Sequence, residues 1–77
     1  MSLRSEVLEC MPIGVEMITP EIAYKVRPND SESQHRITTS RVYNALSILT
    51  KWEDVKLVGK IKTGKQNSEV AVWVRVR

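Results

Sequence analysis

The segment Thr38-Thr39-Ser40-Arg41-Val42-Tyr43-Asn44-Ala45-Leu46-Ser47-Ile48-Leu49 constrains this chain most, through its own pattern and through the strand-like segments downstream of it. Val42, Ala45, Leu46 and Leu49 recur at i, i+3, i+4 and i+7, the spacing of one buried face of an α-helix. Ser40, Asn44, Ser47 and Lys51 fall on the opposite stripe, flanked by Arg41 and Tyr43. A helix is therefore expected from Thr38 or Thr39 to about Lys51 or Trp52, packed by one face and polar on the other. Glu53-Asp54 connect it to Val55–Ile61, which reads as a strand whose alternation weakens around Gly59. Lys62 to Ser68 reads as a turn. Val70, Val72, Val74 and Val76 then alternate with Ala71, Trp73, Arg75 and Arg77, the period of a strand.

Upstream, Leu3, Val7 and Cys10 share a stripe, so a first helix is expected from about Ser2 to Cys10, ended by Pro12 and Gly14. Val15–Ile18 is short and extended, suited to a sheet edge. Thr19-Pro20-Glu21 places a hydroxyl, a proline and an acid where a helix start uses each, with Thr19 as the expected N-cap. That second helix turns Ile22, Ala23 and Val26 inward and stops at Arg27-Pro28, because the residue before proline disfavours helix. Pro28 to Arg36 is polar and turn-rich, and a loop carrying His35 and Arg36 is expected there. The order is helix, short strand, helix, helix, strand, strand.

With 77 residues, 42% of them hydrophobic and 27% charged, the chain fits one domain, residues 1–77, with a small core. No apolar run approaches the roughly 20 residues of a membrane span, so no membrane partner is expected. The first residues do not read as a signal peptide, and a lone cysteine, Cys10, suits a reducing, cytoplasmic setting. The net charge of +3 is unevenly spread. Residues 1–34 balance at −3 and residues 35–77 at +6, so the polar-faced helix and the hairpin share the basic half. No acid occurs from Gln34 to Lys51, nor between Val55 and Ser68. Such asymmetry suggests one face that meets a polyanion, although a solvated basic surface gives the same count.

Catalytic chemistry finds no foothold. The one histidine has no nucleophile or carboxylate pair beside it in the pattern, one His and one Cys do not make a usual zinc set, and the three glycines are scattered. No enzyme, cofactor, metal or small-molecule substrate is expected. Trp52 and Trp73 read as core or half-buried packing residues rather than base-stacking platforms.

Three pieces in this order, Met-Ile-Thr-Pro-Glu-Ile-Ala, then Thr-Ser-Arg-Val-Tyr-Asn-Ala-Leu, then Val-Lys-Leu-Val-Gly-Lys, make the chain resemble the winged helix-turn-helix family of DNA-binding domains over nearly its whole length. The resemblance implies an α+β fold, a three-helix bundle with a C-terminal β-hairpin wing. Thr19–Val26 would be the supporting helix, Thr39–Lys51 the recognition helix in the major groove, and Val55–Val76 the wing. The loop from Arg27 to Arg36 is longer than the three- or four-residue turn of a compact helix-turn-helix, which leaves the angle between the two helices open.

The expected function is sequence-specific binding of double-stranded DNA by a small transcriptional regulator. The expected contact residues are Arg36, Thr38, Thr39, Ser40, Arg41, Tyr43, Asn44, Ser47 and Lys51 on or beside the helix, and Lys60, Lys62 and Lys65 on the hairpin. Arg41 suits bidentate pairing with guanine and Asn44 with adenine. A homodimer would suit paired half-sites, but no dedicated dimerisation helix is visible and the oligomeric state stays open. The alternative is a winged-helix module that docks other proteins. RNA is a weaker third reading, since no aromatic pair marks a sheet face for stacking bases.

Overall fold

The computed structural model describes residues 2–63 and 68–77, with no account of the side chains of residues 63 and 68. Three helices and three strands run in the order α1 (Leu3–Glu9), β1 (Glu16–Ile18), α2 (Thr19–Val26), α3 (Glu32–Lys51), β2 (Val55–Thr63) and β3 (Ser68–Arg75). The strands form one antiparallel sheet in the order β1-β3-β2. The fold is a small α+β domain, with helices packed on one face of the sheet.

The core is where the apolar stripes converge. Val7 and Met11 come from the first helix and its exit, Met17 from β1, and Ile22 and Ala23 from α2. Val42, Ala45, Leu46 and Leu49 come from α3, Val55 from β2, and Ala71 and Trp73 from β3. The stripe expected on α3 is thus the stripe that packs. Ser2 caps α1 by accepting the Ser5 amide. Gly14 sits at φ +82°, a left-handed conformation that glycine adopts without penalty, and its amide bonds the Arg75 carbonyl at 2.8 Å.

The structure corrects three expectations. The long loop before α3 does not exist. Ser31 accepts the Gln34 amide, α3 begins at Glu32, and only Arg27 to Ser31 connect α2 to α3. His35 is therefore helical, stacked on Tyr24 of α2 with ring centroids 3.8 Å apart. Thr19 is not the cap of α2 but its first residue. Its buried hydroxyl accepts from Trp73 Nε1 at 2.8 Å and donates to the Ala71 carbonyl at 3.4 Å. That bond draws Trp73 and Ala71 to the helix side and leaves the valines of β3 on the other. Trp52, expected in the core or half-buried at its edge, is 52% exposed beneath the Arg4 guanidinium, which lies 4.6 Å from its ring centre.

The far end of α3 closes by a Schellman motif. Asp54 N–H reaches the Leu49 carbonyl and Glu53 N–H the Thr50 carbonyl, with Glu53 at φ 65° where glycine is usual. The weakened alternation near Gly59 is a β-bulge: the register with β3 shifts between Leu57 and Gly59.

Candidate nucleic-acid interface

Helix α3 spans 20 residues, about 30 Å at 1.5 Å per residue. Its outward face carries Ser40, Arg41, Asn44 and Lys51, all exposed. Among the described residues no hydrogen bond engages the side chains of Ser40, Arg41 or Asn44. Thr39 and Ser47 are committed differently: their hydroxyls donate to the carbonyls of His35 and Tyr43, one turn back. Each keeps accepting capacity and loses its donor.

Tyr43 stands on the hairpin side of the helix, 43% exposed, its ring edge-on to Trp73 at 5.6 Å. Trp73 is held by Thr19, so the chain of contacts from α2 through β3 fixes where Tyr43 sits. Beside it runs a groove of about 410 Å³. Thr39, Ser40, Tyr43 and Asn44 form one wall, Lys60 and Glu69 the other, and Thr19 and Pro20 close one end. Lys60 faces the helices because it pairs with Ala71, whose side chain is in the core; Lys62 pairs with Glu69 on the same face.

Five of the residues expected to touch DNA thus line a single groove: Thr39, Ser40, Tyr43, Asn44 and Lys60. Arg36 and Lys51 are exposed towards opposite ends of α3, and Arg41 lies on the flank away from the hairpin. Thr38 is a correction. It is 6% exposed, and its hydroxyl donates to Asp30, so it ties the α2–α3 connection down and offers nothing to a ligand. Lys65 lies outside the described residues. Sequence reasoning missed Glu69, Thr19 and Pro20 in the groove; nothing local marks them, because strand pairing and the Thr19–Trp73 bond bring them there. It also missed Ile37 and Ile48, which are exposed on the outward half of α3.

The electrostatics are one-sided. Among the described residues the ion pairs are Arg27–Glu6 at 3.1 Å and Arg77–Asp54 at 2.9 Å, neither on the groove. Two hydrogen bonds from the Arg27 guanidinium hold the Glu6 carboxyl below its usual range. Burial pushes the Cys10 thiol up, away from the reactive thiolate. Among the described residues, Arg36, Arg41, Lys51, Lys60 and Lys62 have no carboxylate within 4.0 Å. Among the described residues no group of three His, Cys, Asp or Glu side chains is placed to hold a metal. Among them, too, no helix is long and apolar enough to cross a membrane.

Comparison with protein-family models, curated proteins and solved structures returns no significant match.

Proposed function

We propose that this chain is a winged helix-turn-helix domain that binds double-stranded DNA as a small transcriptional regulator. Helix α3 enters the major groove, and the β2–β3 hairpin is the wing. The observation that carries this reading is the groove between Ser40, Tyr43 and Asn44 on one side and Lys60 on the other. A sugar-phosphate strand running along it would meet a lysine, a tyrosine hydroxyl and a serine hydroxyl, against the one acid Glu69, while Asn44 and Arg41 reach base edges beyond it. The five-residue connection from Arg27 to Ser31 supports the reading as well, since it brings the α2–α3 pair close to helix-turn-helix proportions.

Phosphate contacts give affinity and a salt dependence; base contacts give sequence preference. If Arg36, Arg41 and Lys51 of α3 and the two lysines of β2 on the helix side, Lys60 and Lys62, each neutralise one phosphate, log affinity should fall against log salt with a slope of about −4.5. Fluorescence anisotropy with random-sequence duplex DNA across a salt series measures it. Lys60→Ala should make the slope shallower by about 0.9. Arg41→Ala should cost about 1–3 kcal/mol on a selected site and far less on random DNA. Absence of salt-dependent binding at low salt refutes the DNA reading.

Ile37 and Ile48 favour a second reading, a protein-docking module, because two isoleucines share the exposed helix face. On DNA they would lie against thymine methyl groups instead. The same titration separates the two, since a docking module gives no salt slope on DNA.

A further inference from the structure

Among the described residues, helices cover one face of the sheet and not the other. Strand pairing sets Met17, Trp73 and Val55 towards them, all in the core. The opposite face carries Ile18, Val70, Val72, Val74 and Ile61. Val72 is 7% exposed yet stands outside the helix-packed core, and Ile61 is 47% exposed. Together with Ile18 they border a shallow trough of about 300 Å³.

Across the three strands this face has an ordered pattern. One row is Glu16–Val74–Lys56 and the next is Ile18–Val72–Gly59. Each row has a valine on β3 and unlike partners on the two edges: acid against base, then the largest aliphatic group against no side chain. We propose that this face is the interface of a homodimer, with a two-fold axis running along β3 between the two sheets. Rotation about that axis lays β1 of one copy over β2 of the other. Glu16 then stands over the second copy's Lys56, and Val72 over its own counterpart. Ile18 stands over the second copy's Gly59, where a Cβ would meet nothing within 4 Å, so there is open space above that position for it. Charge and shape are complementary under the same operation, as an isologous interface requires. Sheets stacked about 10 Å apart interdigitate side chains of this size. An unrelated partner would need neither antisymmetry. Lys60 and Lys62 point to the other face, so the dimer leaves the groove and α3 open, and the inference stands whether or not the chain binds DNA.

The test is sedimentation equilibrium of the purified chain from about 10 µM to about 1 mM, a range suited to a face this narrow. The mass should rise from 8.8 kDa towards twice that value. Glu16→Lys and Lys56→Glu should each weaken association at least about tenfold, because each sets like charges opposite one another. An equimolar mixture of the two variants should regain it, since opposite charges then face one another at both rims. Gly59→Val should occupy the space that Ile18 of the second copy takes and weaken association, while leaving the circular dichroism and the thermal melt of the monomer in place. A chain that stays monomeric throughout overturns the proposal. So does a dimer that tolerates both reversals, or one that mixing does not restore, because its contact lies elsewhere.

Discussion

The bond between Trp73 Nε1 and Thr19 Oγ1 is the tie that sets the groove, and its contribution can be worked out. Both residues are buried, and the donor–acceptor distance is 2.8 Å. Thr19→Val keeps the shape and removes the acceptor, leaving an indole N–H buried without a partner. That costs about 1–3 kcal/mol, the desolvation penalty of an unsatisfied donor. At about 6 °C per kcal/mol for a domain of this size, a loss of about 2 kcal/mol lowers the melting temperature by about 12 °C. Trp73→Phe removes the donor and costs stability through the cavity it leaves. In that background Thr19→Val should cost less than about 0.5–1 kcal/mol, because only the 3.4 Å bond to the Ala71 carbonyl remains to be lost. The coupling from the double-mutant cycle should be about 1–2 kcal/mol. Urea unfolding followed by circular dichroism measures all four proteins without relying on Trp73 fluorescence. Equal costs for Thr19→Val in both backgrounds would refute the reasoning.

Three further outcomes are expected. The Glu6 carboxyl is held below its ordinary 4.5 in the folded state, so its contribution is complete above that value and is lost as pH falls through the lowered one. Urea midpoints of wild type and Glu6→Gln should therefore differ slightly at neutral pH and converge in acid. Glu53→Gly should stabilise by up to about 1 kcal/mol, read as a higher melting temperature, by relieving a left-handed residue that carries a side chain. Glu69→Gln should tighten DNA binding about two- to threefold at low salt. A unit charge about 6 Å from a phosphate in water is worth about 0.7 kcal/mol, and the gain should shrink as salt rises.

How much of the fold was legible in the sequence depends on the range of the interactions. The stripe of Val42, Ala45, Leu46 and Leu49 was legible because helical period and burial coincide within one segment. The weakened alternation at Gly59 marked a real bulge. The start of α3 was hidden by composition: Pro28 to Arg36 looks like a loop, yet Ser31 and Gln34 have the spacing of a capping box, and that signal outranks polarity. Thr19 had the local signature of a cap, but its hydroxyl bonds a residue 54 positions away, which no local pattern reveals. For the same reason the alternation of β3 announced two faces without saying which was inward. Half of the groove was visible as the polar stripe of α3. The other half, Lys60 opposite with Glu69 beside it, exists only once β2 and β3 pair.

The distribution of charge links the two proposals. Glu6 and Asp54 are engaged by arginines away from the groove, and Asp30 by Thr38. The cations of α3 and β2 therefore act on solvent with little internal cancellation, apart from Glu32 one turn before Arg36 and Glu69 on the groove, and such a field speeds association with a polyanion. If the chain binds DNA and one copy meets about five phosphates through Arg36, Arg41, Lys51, Lys60 and Lys62, the slope lies near −4.5 and affinity is modest at physiological salt. Two copies joined through the valine face of the sheet carry their grooves on opposite outer faces, so a doubled slope of about −9 would require a duplex that reaches both. The slope thus counts copies on the DNA as well as phosphates. If Glu16→Lys halves it while leaving the folded monomer intact, the sheet face and the groove work in one assembly. If the slope stays near −4.5 for wild type and variant alike, any dimer in solution is not the form that binds.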